Sequence, residues 1–158
     1  MHHLKNSLFI YLTSLLSLVC ILSSCEDITE SVVPSVKVEA TLNTYTTDKE
    51  LATPGGHKLI PVRTNESPYV GYGGLLVVHG YLDNAIYAYD LACPVENKPN
   101  VKLSMIEGIK AKCSQCGSEF DGVFYGNALP SAGKAKENKL ILRSYRASFS
   151  DNLIHIWN

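Results

Sequence analysis

The chain has 158 residues, of which 46% are hydrophobic and 18% charged, and its formal net charge is −1. That is material for one ordinary globular domain with a modest core. The charge is nearly balanced, and Lys134, Lys136 and Lys139 are offset by Glu137, so there is no clustered positive face of the kind nucleic-acid binding requires.

The amino terminus comes first in chain order. His2, His3 and Lys5 precede a run from Leu8 to Leu22, 15 residues without a charge. A helix crossing the hydrocarbon layer needs about 20 such residues, whereas a secretory signal carries an apolar region of roughly 7 to 15 after a basic start. Residues 1–24 are therefore expected to be a signal peptide. Leu22-Ser23-Ser24-Cys25 resembles a bacterial lipobox, in which small residues precede a cysteine that is lipidated and becomes the first residue. This likeness implies an exported protein of the bacterial envelope, anchored at the outer membrane or periplasmic face through Cys25. One acyl chain holds only marginally and several hold stably. Cleavage there removes Lys5 alone among the charged residues, leaving 13 basic against 15 acidic side chains, a net charge of −2. Residues 25–35 are mostly polar and interrupted by Pro34, and read as a tether.

From residue 36 to 158 the pattern is that of a β protein. Val36, Val38, Ala40 and Leu42 alternate with Lys37, Glu39 and Thr41, the period of a half-buried strand. Further strands are predicted over Leu59–Val62, Leu75–His79, Ala85–Leu91, Ile106–Cys113, Leu140–Tyr145 and Leu153–Trp157. Gly55-Gly56, Gly73-Gly74, Asp83-Asn84, Asp121-Gly122 and Gly126-Asn127 supply turns between them. Short strands joined by Gly-rich turns predict an all-β antiparallel sandwich or barrel in one domain. Tyr81, Tyr87 and Tyr89 are expected to pack across strands.

The chemistry-bearing residues lie in two short stretches. Cys93-Pro94-Val95-Glu96 is followed, after 19 residues between Cys93 and Cys113, by Cys113-Ser114-Gln115-Cys116-Gly117-Ser118-Glu119-Phe120-Asp121. This arrangement resembles Rieske iron–sulfur domains, whose two loops read Cys-x-His and Cys-x-x-His followed by Gly-Ser-x-Phe or Tyr-Asp. Leu129-Pro130 and Gly133-Lys134-Ala135 resemble the proline loop that precedes the family's closing strand. The chain is similar to envelope lipoproteins with Rieske-like domains from Bacteroidetes-type bacteria. The resemblance implies a small cluster-loop subdomain on the β domain, with Cys93 and Cys113 matching the inner-iron ligands. It also implies that both ligand histidines are replaced, by Val95 and Cys116. Val95 has no lone pair, and Ser118 takes the place of a hydroxyl that hydrogen-bonds a bridging sulfide.

Three outcomes stay open at the cysteines, the first being favoured. A fold without a cluster would leave a disulfide to form among Cys93, Cys113 and Cys116 in an oxidising compartment, worth roughly 3 kcal/mol where Cys93 closes a loop of about 20 residues with Cys113 or Cys116, or a redox dithiol of Cys113 with Cys116. A [2Fe-2S] cluster on the three cysteines, with Glu96 as a possible fourth ligand, would make an electron carrier that docks to a redox partner. Thiolate in place of imidazole would draw its potential from the Rieske range, about −150 to +300 mV, toward the ferredoxin value near −400 mV. Zinc is the third, with a fourth donor sought among His57, His79 and His155.

Nucleotide-binding, zinc-protease and serine-hydrolase motifs are absent. Gly71-Tyr72-Gly73-Gly74 runs on into Leu75-Leu76-Val77-Val78, a strand and not a helix, so it is no phosphate cradle. The expectation is a membrane-anchored structural or binding module with an envelope partner, at most an electron carrier and otherwise no enzyme.

Overall fold

Residues 31–62 and 69–158 are described by the computed structural model; the expected signal peptide and Cys25 lie outside them. Among the described residues no helix is long and apolar enough to cross a membrane.

The chain forms β1 (Glu39–Asn43), β2 (His57–Pro61), β3 (Gly74–His79), β4 (Ile86–Asp90), β5 (Leu103–Ile106), β6 (Lys110–Cys113), β7 (Glu119–Asp121), β8 (Leu129–Ala132), a short helix α1 (Gly133–Glu137), β9 (Ser144–Ser150) and β10 (Leu153–Trp157). Six strands make one sheet in the order β1-β10-β9-β4-β3-β2, and β5-β6-β7-β8 make a second. The pairings are antiparallel. The all-β architecture expected from the alternation is what the chain adopts, with the small sheet as a separate layer.

β3 explains how the two layers meet. All six of its residues are buried, which a strand with one wet face cannot achieve. Leu75 and Val77 point into a core shared with Val38, Leu42, Leu51, Ile86, Ile154 and Ile156. Leu76 and Val78 point the other way, into a core with Tyr89, Phe120, Val123 and Phe124. Successive side chains leave a strand on opposite faces, so β3 is a wall common to both cores. β4 continues it, with Ala88 on one side and Tyr89 on the other.

Three predicted strands differ from the structure. Ile106–Cys113 is not one strand but the turn and second arm of the β5–β6 hairpin. Glu107 (φ 52°) and Gly108 (φ 70°) take the successive left-handed conformations that reverse a chain tightly. Leu140–Tyr145 is mostly irregular: Leu140 N donates to Ala135 O at the end of α1, Leu142 is buried, and Arg143 O accepts from Asp90 N. An apolar run reports burial, and burial alone does not make a strand. The adjoining strand is β9, whose serines and Arg146 face out while Tyr145, Ala147 and Phe149 face in. β1 begins at Glu39; Val38, Ala40 and Leu42 face inward as the alternation predicts, but Val36, ahead of the strand, is exposed.

From Ser31 the expected tether is held against the domain. Val33 is fully buried, and the Arg143 guanidinium donates from Nε to Val33 O and from Nη2 to Ser31 O. Tyr89 is buried, with its hydroxyl on Val123 O, and Tyr87 donates to Asp83. Tyr81 lies beyond β3 and packs on Phe124, ring centroids 4.8 Å apart.

Candidate metal centre

The two cysteine stretches are the loops that leave β4 and β6 side by side. The first follows β4 directly: Leu103 N donates to Leu91 O, Cys93 N to Val101 O and Asn97 N to Cys93 O. Asn97 takes φ 48° to close the turn, a conformation Asn tolerates. The second turns between Cys113 and Ser118, with Gly117 N on Cys113 O and Cys113 N on Ser118 O, each 2.9 Å. Gly117 sits at φ 73° with open space where a Cβ would project, so backbone conformation rather than crowding calls for glycine there.

Asp90, fully buried at the end of β4, fixes where the first loop departs. Its carboxylate accepts from Tyr72 N, Gly73 N, Ala92 N and the Tyr145 hydroxyl, at 2.7 to 2.9 Å. The Gly71–Gly74 segment is thus a backbone strap around a carboxylate. A Cβ on Gly73 would stand 2.5 Å from Ala92 N.

The loops bring three sulfurs together. The Sγ atoms of Cys93, Cys113 and Cys116 lie within 4.8 Å of one another, and Cys93 and Cys116 are 3.6 Å apart. All three are free thiols, Cys93 and Cys113 buried and Cys116 half-buried. Three cysteines this close can hold a metal ion, since thiolates are soft donors for zinc, copper(I) and iron.

Their environments differ. Burial pushes the Cys93 thiol up to about 12, and the neighbouring sulfurs of Cys113 and Cys116 add to this against the amides of Glu96 and Val95. Burial also works against ionisation of Cys116, but the Ser118 hydroxyl and amide and the two other thiols hold it below the ordinary thiol value. Ser118 is fully buried; its Oγ lies 3.2 Å from Cys116 Sγ and accepts from Ala135 N of α1 at 3.1 Å. Gly133 approaches so closely that a Cβ would come within 3.0 Å of Ser118 Cα.

The other sequence candidates lie elsewhere. The Glu96 carboxylate accepts from Gln115 Nε2 at 2.9 Å and clasps the two loops at the surface instead of joining the sulfurs. His79 is buried between Leu51 O and Asn84 Oδ1. His155 stacks on Trp157, and His57 meets the edge of Phe124. Val95 packs against the same core as Cys116. The standard Rieske donor set therefore does not fit. At the position the resemblance matches to a histidine stands the aliphatic Val95, and among the described residues the donors brought together are three sulfurs with no nitrogen. Missing from the sequence reading were Asp90 and Gln115, because a carboxylate at a strand end and an exposed amide carry no signal until the fold supplies their partners.

Compared with known proteins, the chain matches no family model, no curated sequence and no solved structure.

Proposed function

We propose that this protein is a lipid-anchored component of the bacterial envelope whose Rieske-like domain serves as a binding module and has given up the standard two-iron cluster. The observation that carries this reading is Val95. At the register of an outer-iron histidine it offers no electron pair, and its side chain is spent on packing against the core that holds Cys93 and Cys113.

The docked segment sets how far the domain could stand from such an anchor. With Cys25 lipidated, six residue steps separate the anchor from Ser31, whose carbonyl is held by Arg143. At 3.3 to 3.6 Å per extended residue this keeps the domain within about 20 Å of the bilayer surface. A partner of such a module would be another envelope protein met at the membrane.

Two measurements test the proposal. Replacing Cys25 with Ala should release the protein from membranes, and unchanged membrane association would remove the anchor. Protein extracted and purified without air should contain little iron and no acid-labile sulfide. Two irons per chain with sulfide would instead make it an electron carrier on a Cys-rich ligand set.

A further inference from the structure

We infer that Cys93, Cys113 and Cys116 form a site for one soft closed-shell cation, Zn²⁺ or Cu⁺, held by three thiolates, with a fourth coordination position left open when the ion is zinc. This rests on the reading that the standard cluster has been given up, and adds what the remaining donors bind.

The spacing of the sulfurs points to a single ion. Metal–sulfur bonds of about 2.3 Å put two thiolates on one tetrahedral ion roughly 3.8 Å apart. Cys93 and Cys116 stand at 3.6 Å, and all three sulfurs fall within 4.8 Å. In the family's arrangement Cys93 and Cys116 would serve different irons, with sulfide bridges between the metals setting them further apart. Here they stand within reach of a single ion.

The donor type then selects the ion. Thiolates favour zinc and copper(I), whereas magnesium and calcium require oxygen. Among the described residues no histidine or carboxylate joins the three sulfurs. Zinc with three protein ligands keeps its fourth position for water or another small ligand. The open side lies toward Cys116, the one half-buried cysteine of the three, next to Gly117, where a Cβ would meet nothing within 4 Å. Binding replaces three S–H protons by one cation and releases those protons to solvent. Ser118, fixed by the α1 amide, is placed to hydrogen-bond the Cys116 sulfur and so to orient it.

The test uses full-length protein extracted in detergent, reduced and freed of metal under argon. Zn²⁺ and Cu⁺ are titrated in separate arms, with Co²⁺ as a coloured probe of the zinc geometry. One equivalent per chain should saturate the sulfur-to-metal absorption in at least one arm and protect all three thiols from alkylation. The arm with the tighter endpoint under a competing chelator identifies the cation. Cys116→Ser, at the half-buried position, should keep the native circular dichroism and weaken binding by more than about 100-fold, beyond what loss of an outer hydrogen-bond partner costs. Failure of both ions to bind, or equal binding by Cys116→Ser, overturns this inference and leaves the cluster-free reading standing. Two irons with sulfide in the protein as isolated overturn both.

Discussion

The Tyr145 hydroxyl donates a 2.7 Å hydrogen bond to Oδ2 of Asp90 across the β4–β9 pair, 55 residues apart in sequence, inside the larger sheet. With the Tyr72, Gly73 and Ala92 amides it completes a shell of four donors around one buried carboxylate. A hydrogen bond to a charged group contributes about 1.5 to 3 kcal/mol. Tyr145→Phe should therefore lower the urea-unfolding free energy by about that amount. Asp90→Ala, which strands the buried amides of Gly73 and Ala92 and the half-buried one of Tyr72 as well, should cost more. An unchanged unfolding midpoint in Tyr145→Phe would show that the carboxylate does not depend on this donor.

Ser118 is expected to set the reactivity of Cys116. Its hydroxyl is among the groups that hold the Cys116 thiol below its ordinary value in spite of burial. Ser118→Ala removes it, so the Cys116 titration should move upward. Alkylation of Cys116 in metal-free protein should slow at pH values below the ordinary thiol pKa of about 8.5. The check is the alkylation rate of Cys116, followed by mass spectrometry from pH 6 to 9. Equal profiles for the two proteins would contradict it.

Acid should weaken the β2 edge through Asp48. Burial raises its pKa, but Lys58, the Thr47 hydroxyl and the Asn43 amide outweigh this and hold it below the ordinary carboxylate value. A lowered folded pKa means the contribution is complete above the unfolded value of about 3.9 and is lost as pH falls through the folded one. Asp48→Asn should lower stability at pH 6 by about 1 to 2 kcal/mol and narrow its gap from the parent as pH drops below about 4. A gap that stays constant down to pH 2 would remove this assignment.

On the proposed reading, in which the domain is Rieske-like and Val95 keeps a standard cluster from assembling, restoring the donors should permit one. Val95→His with Cys116→His rebuilds the family's ligand set on the two loops. The double variant, reconstituted with iron and sulfide under argon, is expected to take up two irons per chain and turn brown, while Cys116→His alone should not. Equal iron uptake by the single variant would show that Val95 is not the obstacle.

Arg143 offers a test of the tether. Arg143→Ala frees the Val33 and Ser31 carbonyls, and limited proteolysis should then cut between residues 31 and 36 well before the domain is degraded. Resistance equal to the parent's would show that Val33 burial alone holds the segment.

Much of this protein was legible in its amino-acid order because strand periodicity and covalent spacing are local. The inward set Val38, Ala40 and Leu42 is written as an alternation, β10 falls on Leu153–Trp157 as predicted, and the two cysteine stretches announce themselves by composition. Local order could not say that β3 would be buried on both faces, that Ile106–Cys113 would fold back at Glu107-Gly108, or that Leu140–Arg143 would be irregular around a buried Leu142. Nor could it tell which sulfurs meet, or that Glu96 would turn to Gln115. Those outcomes depend on distances between residues remote in sequence. Such distances are set only when two sheets close over a shared wall and bring the loop after β4 against the loop after β6.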